Sequence, residues 1–265
     1  MHGERFRLRR GVATCAVGLV ALSAAAILGC SDDSSSELLD SGPPAVLVDT
    51  VSYEEGEHAK ISRQMAAPDA LSVTGIEARA GEAAGLAVLR EGAEQFRETL
   101  GYRSEWQSDF HAEAGPDYWY GLSVFLPEDW DQGTNRGFFD DRIIFQFHEG
   151  TGASPALSLH VREAQGDFMV RRRTSDGFDY LWTMPFETDE WFDFAFHVRW
   201  SQDDDGFVQI FADGDLVYEY RGSTLVDGES IYTKWGIYGQ PTRILLDEIR
   251  IAEGRSGGLD IVTPA

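Results

Sequence analysis

Three short segments of the chain alternate apolar residues with side chains that can bind an anion or transfer a proton. Successive side chains of a β-strand point to opposite faces, so residues 142–148 place Gln146 and His148 on one face. The other face of this strand is expected to hold Ile143, Phe145 and Phe147, and Ile144 is expected beside Gln146. The polar rows of the other two segments are Tyr232, Lys234, Gly236 and Tyr238, and Arg103, Glu105 and Gln107. Such rows could bind an acidic ligand and carry out acid–base chemistry on it.

Each of these residues also has an ordinary interpretation. His148 could be a surface histidine at a strand end, and Lys234 a solvated charge. Tyr232 and Tyr238 could cover a sheet with their rings while their hydroxyls meet water. One polar face is normal for a half-solvated sheet, but it is usually made of Thr, Ser and Glu. The joint occurrence of Arg, Gln, His, Lys and Tyr therefore favours a functional site.

The elements that must position these rows are β-strands. From about residue 46 onward there is no long segment with helical period and no internal repeat, and short alternating stretches are separated by turn residues. Asp213-Gly214 predicts a tight hairpin between residues 206–212 and 216–220. Many short antiparallel strands at this spacing predict an all-β sandwich or jelly roll over residues 45–255, followed by a tail at 256–265.

The composition supports one sizeable β domain. The chain has 265 residues, is 43% hydrophobic and 12% aromatic, and carries a formal charge of −23. Such an apolar share can bury a core, which excludes wholesale disorder. Nucleic acid is excluded as a partner because phosphate binding requires clustered Lys and Arg. The acidity indicates solubility rather than a fold.

The motif segments resemble those of β-jelly-roll polysaccharide lyases. Arg103-Ser104-Glu105, Gln146-Phe147-His148 and residues 232–240 are similar to the R-[ST]-E, Q-[IV]-H and Y-F-K-x-G-x-Y-x-Q strands of alginate lyases. Residues 118–127, 191–214 and 247–250 are more similar to the heparin lyase and glucuronan lyase branch. The departures, Phe147 and Trp235, fall on the apolar rows. The likeness covers about residues 85–252 and implies a concanavalin A-like sandwich of two antiparallel sheets.

The resemblance implies cleavage of a uronic-acid polymer by β-elimination. In such a reaction the C5 proton is removed and the oxygen at C4 is expelled, while negative charge develops on the adjacent carboxylate. Arg103 and Gln146 would neutralise that carboxylate, and His148 would act as base or as a further neutraliser. Tyr238 would protonate the leaving oxygen and could also abstract the proton, with Tyr232 in reserve.

Further residues are expected to bind substrate. An unperturbed tyrosine titrates near pH ~10, so a tyrosine base needs a nearby cation such as Lys234. Arg171 and Arg173 share a face and could bind uronate carboxylates in two-point fashion, or could be solvated at a strand end. The remaining candidates for substrate contacts are Tyr232, Glu105, His160 and Gln240. No metal or other cofactor is expected, because His, Asp and Glu show no metal-site spacing.

Other functional classes remain in competition. A glycoside hydrolase of this fold would need paired carboxylates in an E-x-D-x-x-E run, which the chain lacks. A carbohydrate-binding surface protein without catalysis would keep the fold and dispense with the acid and base. A purely structural envelope lipoprotein is a third possibility, which the polar rows disfavour. The expected partner is an anionic polysaccharide, and the protein is expected to be a monomer.

The first residues are typical of an export signal. Four arginines precede the uncharged residues 11–29, and Cys30 follows Gly29 as in a bacterial lipobox. The sequence thus predicts a lipoprotein signal peptide at 1–29, lipid attachment at Cys30 and a Ser/Asp-rich tether over 30–44. The protein would be anchored in the bacterial cell envelope, touching the membrane only through its lipid. An uncleaved anchor helix is the alternative.

Overall fold

The computed structural model describes residues 42–57, 61–65, 67–97, 101–131, 133, 141–150 and 154–264. The predicted signal peptide, Cys30 and most of the tether lie outside the described residues. Within the described residues, no helix combines the length and the apolar character that crossing a bilayer requires.

The described residues form sixteen β-strands and one short helix. The first eight strands are β1 Val46–Val51, β2 Ile61–Met65, β3 Leu71–Thr74, β4 Ala84–Leu89, β5 Arg103–Ser108, β6 Ala112–Glu113, β7 Asp117–Phe125 and β8 Asp141–Glu149. The others are β9 Leu157–Arg162, β10 Asp167–Thr174, β11 Gly177–Pro185, β12 Trp191–Arg199, β13 Phe207–Ala212, β14 Asp215–Arg221, β15 Ser230–Gly239 and β16 Thr242–Glu253. The helix α1 spans Gly258–Val262.

The strands form two antiparallel sheets of eight strands each. One sheet has the order β14-β13-β12-β7-β16-β4-β3, and β1 pairs with β16. The other has the order β11-β10-β9-β8-β15-β5-β2, and β6 pairs with β15. The prediction of an all-β jelly roll of two antiparallel sheets is therefore confirmed.

The core lies between the two sheets and is rich in aromatic residues. Trp106, Phe147 and Trp235 are fully buried and belong to the same apolar cluster. The Trp235 Nε1–H donates to the Tyr53 hydroxyl at 2.8 Å, so this buried indole has the partner that its polar atom needs. The apolar rows of β5, β8 and β15 therefore pack into the core, which fixes the positions of these three strands.

Two local predictions have different outcomes. The Asp213-Gly214 hairpin is confirmed: it joins β13 to β14, and both residues have positive φ, 50° and 87°. The predicted alternation along β8 is wrong at one point. A bulge between Ile143 and Phe145 lets Ile144 join the core, while Ile143 pairs with His160 and Tyr238 on the opposite face.

The predicted C-terminal tail packs against the domain. Helix α1 covers the outer face of the first sheet, where Val262 and Leu259 contact a small apolar cluster around Trp119. A side chain at Gly258 would meet the Trp119 ring at 2.1 Å. Residues 258–262 are therefore part of the folded body.

Candidate active site

The three polar rows predicted from the sequence lie side by side on the second sheet. We call the side of this sheet turned away from the core the polar face. In the centre, Lys234 of β15 lies opposite Gln146 of β8 on one side and Gln107 of β5 on the other. Tyr238 lies opposite Arg103. The order β8-β15-β5 therefore joins segments that are up to about 130 residues apart in the chain.

A buried carboxylate, Glu105, lies among the cations of the polar face. It is 1% exposed, its Oε1 accepts a hydrogen bond from Gln146, and its Oε2 lies 3.4 Å from Arg103 Nη1. Burial raises the pKa of Glu105, while Arg103 and Lys234 act in the opposite direction. One carboxylate thus faces two cations, which leaves the cluster with an excess of positive charge when Glu105 is ionised.

Gln64 of β2 connects this cluster. Its Oε1 accepts hydrogen bonds from Arg103 Nη1 at 2.8 Å and from Lys234 Nζ at 3.3 Å, and its Nε2 donates to Gln107 at 2.6 Å. Burial lowers the pKa of Lys234, Glu105 opposes that shift and Arg103 adds to it. Gln64 could not be predicted from the sequence because residues 45–80 carry no recognisable pattern.

His148 is held in one tautomer. Its Nδ1 lies 2.7 Å from the carbonyl oxygen of Glu149, and since a carbonyl oxygen only accepts, Nδ1 carries the hydrogen. Neutral His148 therefore presents a lone pair at Nε2. Burial and the charge of Lys234 hold the pKa of His148 below its usual value of 6.5. The side chain is thus neutral at neutral pH, which is the form that a general base requires.

Tyr232 lies between two imidazoles. Its ring stacks on His148 with centroids 5.2 Å apart, and the exposed His111 lies 5.4 Å away on a tilted plane. Lys234 Nζ is 5.5 Å from the ring centroid. Burial raises the pKa of Tyr232, Glu105 adds to the shift and Arg103 opposes it, so its hydroxyl holds its proton at neutral pH. His111 was missed because it lies outside the three motif segments.

Tyr238 lies on the polar face beside Arg103. The Arg103 guanidinium lies 4.6 Å from its ring centroid, and its cross-strand partners are Arg103 and Ile143. Tyr232 and Tyr238 are six residues apart on β15, which corresponds to about 20 Å along a strand. The structure therefore brings His148 together with Tyr232, and Arg103 together with Tyr238.

His160 lies beneath the surface rather than on it. Its Nδ1 is 2.9 Å from Asp141 Oδ2 and its Nε2 is 2.8 Å from Ser158 Oγ. Burial lowers the pKa of His160, although Asp141 opposes that shift. Because both ring nitrogens contact the protein and the residue is 0% exposed, the direct substrate contact expected from the sequence does not fit this arrangement.

The other predicted contact residues differ in their surroundings. Arg173 binds the buried Glu149 at 2.8 Å and Asp227 at 3.1 Å, and Glu149 also accepts backbone hydrogen bonds from residues 226–228. This guanidinium therefore anchors a loop. Gln240 is buried directly after β15, and its carbonyl oxygen accepts from Thr242 Oγ1 at 3.0 Å. Arg171 lies with its guanidinium 4.1 Å from the centroid of Phe178.

The other sheet carries a separate cavity of about 570 Å³ on its outer side. Its walls include Arg79, Trp191 and Asp193, and Arg79 binds Asp193 at 2.8 Å. Arg79 and Asp193 thus compensate each other's charge, Asp213 accepts a hydrogen bond from the Asp193 backbone N–H, and the cavity shares no residue with the polar face. In the described ranges, no group of three or more His, Cys, Asp and Glu could hold a metal ion.

The sandwich and the polar face define a β-jelly-roll protein that carries imidazoles, phenols and buried cations on one sheet. The family model described as polysaccharide lyase matches residues 48–250. The chain belongs to this family and is a polysaccharide lyase, as the resemblance predicted. No curated protein matches the chain in sequence.

Solved structures share the fold at low identity. The endo-β-1,4-glucuronan lyase from the fungus Trichoderma reesei is 19% identical, with a TM-score of 0.56 over 72% of this chain and 89% of that one. The marine PL-14 alginate lyase from Aplysia kurodai is 13% identical, with a TM-score of 0.52 over 78% and 98% of the two chains. The cellulose induced protein Cip1 is also 13% identical, with a TM-score of 0.54 over 77% and 96%.

Proposed function

We propose that this lyase cleaves an anionic uronic-acid polysaccharide, similar to alginate or glucuronan, by β-elimination. The observation that carries the proposal is the stacked pair of His148 and Tyr232 beside the buried cations Arg103 and Lys234. Glu105 supplies one negative charge for these two cations, so an acidic polymer would balance the remaining positive charge and a neutral polymer would not. The glucuronan lyase and the PL-14 alginate lyase with the same fold are consistent with an acidic substrate.

Arg103, Lys234 and Gln146 bind the substrate carboxylate. The proton at C5 of a uronate is weakly acidic, and the negative charge that develops when it leaves spreads onto that carboxylate. Positioned donors aimed at such charge lower the barrier by several kcal/mol in a water-poor site. Glu105 and Gln64 hold these donors in place before substrate arrives.

His148 is the base and Tyr232 the acid in this proposal. The lone pair at His148 Nε2 takes the C5 proton, the electrons of the C5–H bond form the C4–C5 double bond, and the bond from C4 to the bridging oxygen breaks. The Tyr232 hydroxyl gives its proton to that oxygen. A proton then returns from His148 to Tyr232 through solvent, which restores both side chains for the next cycle.

Two further residues have supporting roles in this proposal. Tyr238, the acid favoured by the motif pattern, lies along the strand beside Arg103 and would contact a neighbouring sugar unit. His111 offers a second imidazole to Tyr232 and would support the phenolate after proton transfer. Separate variants of these residues distinguish the roles.

The test is elimination itself. The protein is incubated with alginate, glucuronan and other polyuronates while the ultraviolet absorbance of the new C4–C5 double bond is followed. His148→Ala and Tyr232→Phe should each lower the rate by about 10²-fold or more. Tyr218→Phe, on the other sheet, is the matched control and should keep full activity. Binding of polyuronates without any rise in absorbance would instead support a carbohydrate-binding protein without turnover.

We also propose, from the sequence alone, that the enzyme is exported and attached to the cell envelope by a lipid on Cys30. Cys30→Ala should release the protein from the membrane fraction. A variant that stays fully membrane-bound would contradict the lipid anchor and favour the uncleaved helix.

A further inference from the structure

Three successive arginines on β10 differ in their partners. Arg172 binds Asp179 and the carbonyl of Ser223, and Arg173 binds Glu149 and Asp227. Arg171 has no carboxylate of the described residues within ion-pair distance, and its buried Nε has no hydrogen-bond partner there. It is therefore the arginine of this run that retains the capacity to bind an external anion.

Exposed aromatic rings flank Arg171. Its guanidinium lies 4.1 Å from the centroid of Phe178, which is 40% exposed, and its cross-strand partner Tyr180 is 68% exposed. The nearby acid Asp141 faces His160 at 2.9 Å. Burial lowers the pKa of Arg171. The charge of Asp141 opposes this shift but does not cancel it, so the positive charge of Arg171 is only partly balanced by the protein.

Arg171 lies in the same cross-strand row as the catalytic cations. The pairing runs from Arg171 to Ser158, then to Gln146, then to Lys234. Three inter-strand spacings correspond to about 14 Å, and cross-strand partners point to the same face. A polymer that crosses the strands from β15 toward β11 would therefore pass over Arg171 a few sugar units from the bond that is cleaved.

We propose that Arg171, Phe178 and Tyr180 form a distal subsite that binds the carboxylate of a second uronate unit. The inference rests on the proposed function. Arg171 pairs with that carboxylate, Phe178 holds the guanidinium in a fixed plane, and Tyr180 stacks on the sugar ring. The subsite makes the enzyme bind long acidic chains more tightly than short ones, and it requires an acid unit at this position.

The test compares acidic oligosaccharides of increasing length, with binding measured by calorimetry and cleavage by ultraviolet absorbance. Arg171→Ala should weaken binding of the long oligosaccharides about tenfold and raise KM to match, without changing kcat or the binding of the shortest ones. Tyr180→Ala should act in the same direction, and Arg171→Lys should recover part of the loss. Arg221→Ala, which removes an exposed arginine from the other sheet, should have no effect.

The outcomes separate the two proposals. Cleavage by wild type, with equal affinity of wild type and Arg171→Ala at every length, would overturn the subsite and leave the proposed function standing. Length-dependent binding that is lost in Arg171→Ala, without cleavage, would support the subsite and overturn the elimination chemistry. A wild-type protein that neither binds nor cleaves polyuronates would overturn both.

Discussion

The ring of Tyr232 stacks on the imidazole of His148 with a centroid distance of 5.2 Å and 21° between the planes. The Glu149 carbonyl fixes the hydrogen of that imidazole on Nδ1. A neutral imidazole ring and a protonated phenol ring therefore stack on each other across neighbouring strands. This relationship is the basis on which the proposed function gives the two tyrosines of β15 distinct roles.

Phenylalanine substitutions should separate those roles. Tyr232→Phe removes the acid and should lower kcat about 10²-fold or more. Tyr238→Phe keeps a ring beneath the Arg103 guanidinium, at 4.6 Å in wild type, and should mainly raise KM. Steady-state kinetics on one polyuronate give both values. A larger loss of kcat in Tyr238→Phe would move the acid role to Tyr238.

The pH profile of kcat/KM should show an acid limb from His148. The base must be neutral, and burial together with Lys234 lowers its pKa, so activity should persist below pH 6.5 and fall as the pH drops through the lowered pKa. Lys234→Met removes the repelling charge and should move that limb to higher pH. An unchanged limb in this variant would show that another group sets it.

Folding stability should weaken in mild acid because of His197. Burial lowers the pKa of this histidine to about 4, although its hydrogen bond to Gln209 opposes the shift. The unfolded chain gains the proton below about pH 6.5 while the folded protein does not, so stability falls as the pH drops from 6.5 toward 4, by about 3 kcal/mol in total.

Denaturant unfolding at several pH values measures this contribution. His197→Phe retains a ring that stacks on Trp119. The variant should show a smaller loss of unfolding free energy between pH 6.5 and 4, because the contribution of His197 is gone. An identical slope in the variant and the wild type would place the acid sensitivity elsewhere.

Gly236 should tolerate no side chain. It lies opposite Glu105 with φ 133°, and a Cβ there would meet the Ser104 carbonyl oxygen at 2.2 Å. Gly236→Ala should cost about 3 kcal/mol or more in unfolding free energy. Gly166→Ala is the matched control, because φ is also positive there but the space is open, and should cost about 1 kcal/mol. Equal losses would refute the close approach.

Salt should help an acidic enzyme to meet an acidic polymer. The chain has a formal net charge of −23, whereas in the proposed function the cations of the polar face would contact the substrate directly. The Debye length shortens from about 30 Å at 0.01 M to about 10 Å at 0.1 M, so distant repulsion is screened first. KM for a polyuronate should therefore fall over this range at constant kcat. A steady rise in KM would show that attraction dominates at long range.

The alternation of apolar and polar side chains predicted the strands that carry the candidate site. Residues 231–238 keep period 2 throughout, and the row Tyr232, Lys234, Gly236 and Tyr238 lies on the polar face as expected. Strand β11 went unrecognised because it lies at a sheet edge and is exposed along most of its length. The bulge at Ile144 depends on packing between sheets, which periodicity does not contain.

The site could be predicted as a set of residues but not as a set of neighbours. Which tyrosine faces His148 depends on strand register, and the register places Tyr232 there. Arg171 and Arg173 look equivalent in the sequence, but Glu149 and Asp227 approach Arg173 from distant parts of the chain. Such partners follow from tertiary structure alone.

The alternation along β15 also bears on how this enzyme can change over evolutionary time. Lys234 and Tyr238 face outward, while Trp235 and Ile237 hold the sheets together, so recognition and folding are encoded by interleaved residues of a single strand. A mutation in the outward row can alter which polymer is used without loosening the core. Directed evolution toward new polysaccharides can therefore vary the even-numbered positions of this strand, apart from Gly236, and leave the odd-numbered ones fixed.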